Sequence, residues 1–350
     1  MTANETPAAE GYHWPAEWDR HAGTWLSWPH NRETWPDRFE PIPAVFSALV
    51  RALEGRELVH VNAGSEALEG EARRALRSGG VDADRAVRFH RIATNDAWAR
   101  DHGGIVVVRE HDGRRERAIV EFGFDSWGKK YGPWDLDDAV PKQMAAALGL
   151  PVFEAGLVLE GGSIEGNGRG TILTTESCLL NPNRGAGRTR ESMERVLADW
   201  LGARHVLWLG DGIEGDDTDG HIDDLTRFVD ATTVVTVVEE SPSDTNHAPL
   251  AANLARLRGM RDQDGKPLAI ATLPMPPPLH VGGQRCPASY ANFYLANGVA
   301  LVPTFRAPSD ARALAVLREV LPGRDVIGID CTDLVWGLGA IHCVTQQIPA

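Results

Sequence analysis

The sequence lacks the segments that would direct a protein into or across a membrane. Its first residues, MTANETPAAEGYHW, contain neither the basic region nor the apolar region of a signal peptide. No apolar run approaches the roughly 18 residues that a membrane span needs. We therefore expect a cytoplasmic protein without membrane attachment.

Cysteine is scarce, since the 350 residues include only four, and none of them forms a C-x-x-C pair. They are Cys178, Cys286, Cys331 and Cys343. Because they lie far apart, neither a disulfide framework nor a zinc knuckle is indicated. Free thiols in a reducing compartment are the expectation.

Several motifs of cofactor and metal enzymes are also missing. The sequence has no H-E-x-x-H and no G-x-S-x-G. An EF-hand aligned on Gly220 would place Gly215 and Thr226 at its first and last positions, where carboxylates are required. No cofactor and no metal ion is therefore predicted.

Positive charge is in deficit, because 35 basic residues face 49 acidic ones and the formal net charge is −14. Nucleic acids and anionic membranes attract basic surfaces, so neither is expected as a partner. An acidic protein favours small cationic ligands instead.

What the sequence does contain is a regular alternation of strand and helix patterns. Strands are predicted at 57–62, 86–92, 105–108, 118–122, 151–159, 171–175, 205–208, 223–229, 233–238, 269–273, 290–295, 298–303 and 325–329, with a closing strand through the His-Cys pair. Helices are predicted at 43–53, 65–78, 137–148, 190–201, 248–258 and 309–321. This alternation indicates an α/β protein. Because the proline cluster at 274–278 interrupts it only briefly, we expect a single domain spanning residues 1–350.

Unusual polar residues occur at an even interval where apolar strands end. These are Asp101, Glu160, His221 with Asp223, and Cys343. Successive sites are about 60 residues apart, and the last pair is about twice that distance apart, which suggests a repeated unit that delivers one functional side chain each time.

Cys343 differs from the other cysteines in its neighbours. Gly337 and Gly339 precede it and allow close backbone approach, whereas the other three cysteines read as inert buried thiols. If the segment is a strand, His342 should face away from whatever Cys343 faces. His221 is then the best candidate for a base, because it would share a strand face with Asp223.

The combination of one thiol, one imidazole and three acids restricts the chemistry. Carboxylates near a thiol raise its pKa and disable it unless a cation lies between them. A guanidinium group is planar and can bind two carboxylates through paired N–H donors. Competing interpretations remain at this stage: Asp101 could pair with Arg100 or Arg91, Glu160 could cap its glycine turn, and His221 could be a surface residue.

The ordered motifs together resemble the agmatine deiminase family, which belongs with the bacterial peptidyl-arginine deiminase-like enzymes in the guanidine-modifying pentein group. They run from about residue 14 to 349 and comprise PAEW at 15–18, His21, TW at 24–25, WP at 28–29, ND at 95–96, Trp98, RD at 100–101, LEGGS at 159–163, LTTE at 173–176, Asn181, Thr218, GH at 220–221, ASY at 288–290, NFY at 292–294, IHC at 341–343 and TQQ at 345–347.

The resemblance implies a five-fold pseudo-symmetric α/β propeller of ββαβ modules, the pentein fold. It implies that Cys343 is the nucleophile, that His221 is the general acid and base, and that Glu160 orients this histidine. Asp101 and Asp223 would bind the guanidinium, and Trp98 would line the channel.

The implied reaction is the hydrolysis of agmatine to N-carbamoylputrescine and ammonia through a covalent S-alkylthiouronium, a step of putrescine and polyamine metabolism. Members need no cofactor, and many are homodimers or larger homo-oligomers. The sequence also leaves open a deiminase of peptidyl arginine or free arginine, and a non-catalytic pentein that binds a metal or another ligand.

The sequence departs from the family pattern at four positions. Leu338 and Ala340 replace a glycine and an asparagine before Ile-His-Cys, and Asp219 and Asp224 stand where asparagines are usual. These changes leave the predicted nucleophile and its partners intact, so they bear on the substrate tail rather than on the chemistry.

Overall fold

The computed structural model describes residues 6–350, and its regular elements follow one another in the alternating order that the sequence predicts. The strands are β1 His21–Ser27, β2 Leu58–Asn62, β3 Val87–His90, β4 Ile105–His111, β5 Arg114–Gly123, β6 Val152–Val158, β7 Ile164–Gly166, β8 Thr171–Thr175, β9 His205–Leu209, β10 Thr226–Phe228, β11 Thr233–Val238, β12 Ala269–Pro274, β13 His280–Val281, β14 Gln284–Arg285, β15 Tyr294–Ala296, β16 Val299–Thr304, β17 Asp325–Asp330 and β18 Gln346–Pro349.

The α-helices lie between these strands. They are α1 Ile42–Leu53, α2 Glu66–Ser78, α3 Ala83–Ala86, α4 Ala99–His102, α5 Ser126–Lys129, α6 Asp135–Asp138, α7 Val140–Leu148, α8 Glu176–Leu179, α9 Arg190–Leu201, α10 His247–Gly259 and α11 Asp310–Val320. Short 3-10 helices occur at Ala8–Glu10, Gly161–Ser163, Pro182–Arg184, Ile222–Asp224 and Leu334–Gly337.

Within residues 6–350 the strands form five modules with one topology. In each module an antiparallel strand pair is followed by a helix and then by a strand parallel to the second of the pair. Four modules are continuous: β4-β5-α7-β6, β7-β8-α9-β9, β10-β11-α10-β12 and β15-β16-α11-β17. The predicted ββαβ propeller is therefore confirmed.

The fifth module is assembled from both ends of the described chain. Strand β18 pairs antiparallel with β1, and β1 pairs parallel with β2 after helix α1. A further strand, β3, extends this sheet to four strands. This pairing closes the ring of modules and fixes the segment just before β18, where Cys343 lies.

Local sequence explains the best-defined elements. Helix α9 begins with a capping box, in which Thr189 accepts a hydrogen bond from the Ser192 amide while Ser192 accepts one from the Thr189 amide. It ends at Gly202, whose φ of 71° suits a left-handed cap. Strand β11, TVVTVV, is rich in β-branched residues and lies between two other strands.

Four predictions about secondary structure are wrong in detail. The strand predicted at 290–295 begins only at Tyr294. The strand predicted at 223–229 begins only at Thr226, because Ile222–Asp224 is a 3-10 turn. The helix predicted at 137–148 is divided into α6 and α7. The closing strand begins at Gln346, so the His-Cys pair lies in the preceding turn. Loops that expose side chains to a cavity break regular structure, and the apolar pattern does not show where they do so.

None of the helices that the structure describes is both long enough and apolar enough to cross a membrane.

Candidate active site

A cavity of about 980 Å³ opens between the loops that connect the modules. Trp98, Asp101 and Cys343 all contribute to its wall. His221, Asp223 and Glu160 are buried directly behind this wall, so the structure gathers all six predicted site residues into one region.

Cys343 lies in the turn before β18 and is almost fully buried. Its Sγ accepts a hydrogen bond from Asn292 Nδ2 at 3.1 Å and lies 3.9 Å from Asp223 Oδ2. Burial raises the pKa of the Cys343 thiol well above its ordinary value, and the carboxylates of Asp223, Asp224 and Asp101 raise it further. The empty site therefore holds a neutral thiol, which needs a cation beside it to ionise.

Asp101 lies in the short helix α4 and faces the cavity. Its two oxygens accept hydrogen bonds from the Gly162 amide and from Trp127 Nε1, both at 3.0 Å. Burial and the nearby Glu160 carboxylate raise the pKa of Asp101 to about 7. Pairing with Arg91 or Arg100 is excluded by geometry, since Arg91 binds Glu69 and Arg100 binds Glu17 and two glutamines.

Asp223 occupies the middle of the 3-10 turn Ile222–Asp224. Its Oδ2 lies 2.7 Å from His342 Nδ1, and its Oδ1 is buried without a hydrogen-bond partner among the described residues. Burial raises the pKa of Asp223 well above its ordinary value, and Asp101 raises it further. The unpartnered oxygen is available to a ligand.

His221 precedes this turn and is held there by its backbone. Asp216 accepts hydrogen bonds from the amides of Gly220 and His221 at 3.0 Å. The imidazole is 1% exposed, and neither ring nitrogen has a hydrogen-bond partner in the described chain. Its Nδ1 lies 3.8 Å from Asp101 Oδ1. His221 is thus buried and lies outside any strand. The interpretation of His221 as a surface residue is wrong, and so is the prediction that it shares a strand face with Asp223.

Burial lowers the pKa of His221 well below its ordinary value, and the Arg184 guanidinium lowers it further. The imidazole is therefore neutral in the empty site. A neutral imidazole can accept a proton from a thiol or from water, and can then return it.

Glu160 is fully buried behind His221. Its Oε1 accepts a hydrogen bond from Arg184 Nε at 2.8 Å, and its Oε2 has no partner among the described residues. Glu160 makes no capping bond to the following turn, so that interpretation is wrong.

Glu160, His221 and Cys178 present potential ligand atoms that all lie within 4.8 Å of one another. The guanidinium of Arg184, which is permanently charged, binds the Glu160 carboxylate. Its charge opposes a metal cation at this position.

Gly162 forms the floor between the functional groups. A Cβ atom here would lie 2.5 Å from His221 Nδ1, 2.8 Å from Asp101 Oδ1 and 3.1 Å from Asp223 Oδ2. Only glycine leaves room for these three groups around one point, and its amide also holds Asp101. The Gly161-Gly162 pair was visible in the sequence as part of a motif, but its steric reason requires the fold.

Trp98 is 4% exposed and lies between two other tryptophans, with ring centroids 5.6 Å from Trp35 and 6.5 Å from Trp127. Gly339 is in close contact with it, because a Cβ there would lie 2.4 Å from the Trp98 ring. Trp98 lines the cavity as predicted by the resemblance, and it does so as part of an aromatic wall.

Sequence reasoning missed the segment 126–131, which crosses the cavity. Ser126, Trp127, Gly128 and Lys129 all have positive φ, between 56° and 87°. This left-handed turn directs Trp127 to Asp101, while Tyr131 donates a hydrogen bond to Asp217 at 2.6 Å. Three of the four residues are not glycine, so the sequence gives little signal for such a conformation.

The four departures from the family pattern lie around the cavity without disrupting it. Leu338 lines the wall and adopts a φ of 68° where the pattern has glycine. Ala340 supplies a backbone hydrogen bond that lowers the pKa of Cys343. Asp219 accepts from Asn183 and binds Lys130 and Arg184. Asp224 accepts a hydrogen bond from the same Asn292 amide that contacts the thiol.

The charges of the cavity wall are predominantly negative. Five acids line it: Glu33, Asp96, Asp101, Asp137 and Asp217. The two basic residues of the wall, Arg32 and Lys130, bind carboxylates at 3.0 and 2.8 Å. Neither cation is therefore unpaired, and the wall suits a positively charged ligand.

Comparison with known proteins agrees with this geometry. Residues 13–349 match the family model of Porphyromonas-type peptidyl-arginine deiminase. Agmatine deiminase of Stutzerimonas stutzeri is 36% identical, over 100% of this chain and 98% of its own length.

Two solved structures align over nearly their whole lengths. Agmatine deiminase of Enterococcus faecalis, solved as it catalyses its reaction, is 30% identical with a TM-score of 0.91, and the alignment covers 100% of this chain and 99% of that one. A protein of Porphyromonas gingivalis, named as a candidate arginine deiminase, is 38% identical with a TM-score of 0.86, covering 97% and 98%. The chain belongs to the Porphyromonas-type peptidyl-arginine deiminase family.

Proposed function

We propose that this protein is an agmatine deiminase, which converts agmatine and water to N-carbamoylputrescine and ammonia. One observation carries the proposal: Asp101, Asp223 and Asp224 are buried around the Cys343 thiol, and burial together with the neighbouring carboxylates raises the pKa of each. The full-length relatives that are named agmatine deiminases support the same activity.

Guanidinium binding is assigned to Asp101 and Asp223. Both carboxyl groups adjoin the position that Gly162 keeps open, and Asp223 Oδ1 has no other partner in the described structure. Two carboxylates can hold the substrate nitrogens by charge-assisted hydrogen bonds, and this would present the central carbon to the sulfur.

Cys343 acts as the nucleophile in this proposal. The bound cation offsets the carboxylates that suppress thiol ionisation, so the thiol loses its proton to His221 when substrate is present. The thiolate then forms a C–S bond to the guanidinium carbon and produces a tetrahedral adduct.

His221 moves the protons of both half-reactions. It gives the thiol proton to the departing nitrogen, the C–N bond breaks, and ammonia leaves an S-alkylthiouronium. It next removes a proton from water, whose oxygen attacks the same carbon. The C–S bond then breaks, and the second proton of the water passes to solvent as the neutral ureido product leaves. His221 returns that proton to the thiolate. Glu160 is held by Arg184 and has an oxygen within 4.8 Å of a ring nitrogen of His221, without a hydrogen bond between them in the described structure. We assign Glu160 to orienting the imidazole.

The substrate tail follows from the charge of the cavity wall. The carboxylate of free arginine would meet five wall acids and two cations that are already paired. The primary amine of agmatine carries the opposite charge and suits the wall. Agmatine is therefore preferred to free arginine, while peptidyl arginine and other guanidino compounds stay alternatives that the charge of the wall does not exclude.

The test is a panel of agmatine, free arginine, an arginyl peptide and a methylated guanidine, with ammonia release as the measurement. We expect the highest kcat/KM for agmatine, and acid quenching should trap a covalent adduct on the peptide that contains Cys343. A higher kcat/KM for free arginine would reassign the substrate, and no ammonia from any of the four compounds would contradict the deiminase assignment.

The domain organisation, the location and the oligomeric state complete the proposal. We propose a single domain spanning residues 1–350, in line with the ring of modules. We also propose a cytoplasmic location, because all four cysteines are free thiols, as in reducing compartments. The homodimer or larger homo-oligomer that the resemblance implies stays a prediction, which sedimentation of the purified protein would check.

A further inference from the structure

His342, the neighbour of the proposed nucleophile, lies between two buried carboxyl groups. Its Nδ1 is 2.7 Å from Asp223 Oδ2, and its Nε2 is 2.8 Å from Glu17 Oε2. All three side chains are at most 6% exposed. The imidazole thus joins the substrate-binding acid to a second acid deeper in the protein.

Glu17 is ionised. It accepts a hydrogen bond from Arg227 Nη2 at 2.8 Å, one from the Leu295 amide at 2.8 Å and a longer one from Arg100 Nη2 at 3.3 Å. Although burial alone would raise it, the Arg227 guanidinium and His342 hold the pKa of Glu17 well below its ordinary value. An ionised carboxylate can only accept, so the ring nitrogen beside it, Nε2, carries a proton.

This arrangement requires a second proton at the other ring nitrogen. A neutral imidazole has one N–H, and Glu17 already accepts it. The short contact between His342 Nδ1 and Asp223 Oδ2 is a hydrogen bond only if one further proton lies between these atoms. His342 and Asp223 therefore share one proton.

In the empty site that proton belongs to Asp223. Burial and the neighbouring Asp101 raise the pKa of Asp223. Burial, Arg100 and Arg227 lower the pKa of His342. Both directions favour a neutral carboxylic acid that donates to a neutral imidazole.

A bound guanidinium reverses this preference. The guanidinium pairs with the ionised form of Asp223. Asp223 is ionised only after its proton has moved to another group. The other charged or titratable groups around His342 are Cys343 in its own turn, Arg100 from α4, Arg227 from β10, and Asp101 and Asp224 beside Asp223. His342 is the group that already accepts the Asp223 proton in a hydrogen bond, through Nδ1.

We propose that His342 accepts the proton of Asp223 when the guanidinium group binds, and returns it when the product leaves. The O–H bond of Asp223 breaks and an N–H bond forms at Nδ1, so the pair keeps its total charge and no proton goes to solvent. The imidazolium is then stabilised between the Glu17 and Asp223 carboxylates. His342 is a positioning residue in this scheme, since it acts on the substrate only through Asp223. The inference rests on the proposed guanidinium site.

The first experiment follows the His342 ring directly. Protein with Cys343→Ala, which cannot turn over substrate, is labelled with ¹⁵N-histidine and titrated with agmatine, and His342→Gln in the same background assigns the signal. We expect the ring nitrogens of His342 to change from the shifts of a neutral Nε2–H tautomer to those of an imidazolium. A ring that stays neutral at saturation, or that is already an imidazolium without ligand, overturns the proposal.

The second experiment counts protons and does not depend on turnover. Agmatine binding to the Cys343→Ala protein is measured by calorimetry at one pH in buffers of different ionisation enthalpy, with and without His342→Gln. Glutamine cannot accept the proton, so binding should release about one more proton per site to the buffer in the double variant. An equal count overturns the proposal.

The matched control is His60→Gln in the same background. His60 is also a buried histidine, but it bonds His90 at 2.9 Å and stacks on Trp25, away from Asp223. Its substitution should leave the proton count unchanged, and a rise equal to that of His342→Gln would also overturn the inference.

The proposed function is tested separately by ammonia release from agmatine with the unaltered protein. Turnover with a ring that stays neutral would keep the function and reject the role of His342. If the unaltered protein releases no ammonia from agmatine and agmatine does not bind the Cys343→Ala protein, both proposals are rejected.

Discussion

Two groups of buried carboxyl groups lie on opposite sides of His342, and they differ in whether an arginine accompanies them. On one side Glu17 is bonded by Arg227 and Arg100, and its pKa is lowered. On the other side, the open cluster is defined as Asp101, Asp223 and Asp224. Within residues 6–350 no lysine or arginine is in ion-pair contact with it, and all three pKa values are raised.

The comparison distinguishes structural charge from functional charge. Removing the arginine from a buried, paired acid destabilises the fold, because it leaves an uncompensated buried charge. Buried acids without a cation destabilise the empty protein, and natural sequences keep such groups where a ligand supplies what is missing. Substitutions on the two sides should therefore have opposite consequences for stability and activity.

The largest effect is expected at the thiol that the open cluster surrounds. Cys343→Ala should lower kcat by at least about 10⁴-fold, because no other group in the cluster can form the covalent intermediate. Steady-state ammonia release measures this loss. Cys331→Ala, which changes another buried thiol, should retain kcat, and an equal loss in both variants would contradict the assignment of the nucleophile.

The second effect concerns the paired side. Arg227→Met leaves Glu17 and Glu165 without the guanidinium that donates to both, so the free energy of unfolding should fall by about 3–5 kcal/mol. Urea denaturation measures it. A variant as stable as the parent protein would show that this arginine does not neutralise the acids.

The third prediction concerns an acid of the open cluster, where a substitution should reduce activity without reducing stability. Asp101→Asn should lower kcat/KM for agmatine by about 100-fold, since it removes one charge-assisted contact worth about 3 kcal/mol. It should not lower the melting temperature of the ligand-free protein at pH 8. A loss of stability comparable to that of Arg227→Met would erase the distinction between the two sides.

The raised pKa of Asp101 determines how stability and kcat/KM change with pH. Since that pKa is about 7 in the folded protein and lower when unfolded, the folded state binds more protons. The contribution of Asp101 to stability thus falls as the pH rises from about 4 to about 7, while kcat/KM rises as the carboxylate forms near pH 7. Asp101→Asn should flatten both trends relative to the parent protein, and identical profiles would exclude Asp101 as their source.

The smallest effect is expected at the edge of the cavity. Asp217→Asn removes one negative charge from the wall and should lower kcat/KM for agmatine by about threefold to fivefold, or roughly 1 kcal/mol. Propylguanidine lacks the amine and is the matched control substrate, for which little change is expected. Equal losses with both substrates would show that Asp217 does not recognise the tail.

The sequence predicts the modules well because their strands and helices have strong patterns. The bounds of β8, β11 and α9 agree with the predicted ranges. The even spacing of the polar sites is also explained, since each module has the same topology and exposes a loop near the cavity.

The turns around the site could not be predicted in the same way. The sequence predicts that His221 shares a strand face with Asp223 and that Cys343 lies in the closing strand. Both residues instead lie outside strands, in segments whose geometry depends on contacts distant in sequence, such as Asn292 with Cys343. Arg184 carries no local signal, and Glu17 appears only as a letter of the PAEW motif, because the roles of both depend on partners distant in sequence.

Strand β18 joins β1 and so connects segments more than 300 residues apart in sequence. An open array of repeats can lose a terminal unit while the others persist. In a closed ring, losing the β18–β1 pair would expose an edge of the sheet and release the segment that holds Cys343. Heating should therefore abolish enzymatic activity in the same transition that melts the helices, with no truncated yet active intermediate. Long-range closure of this kind also implies slow folding, because the final pairing must wait for distant segments to meet.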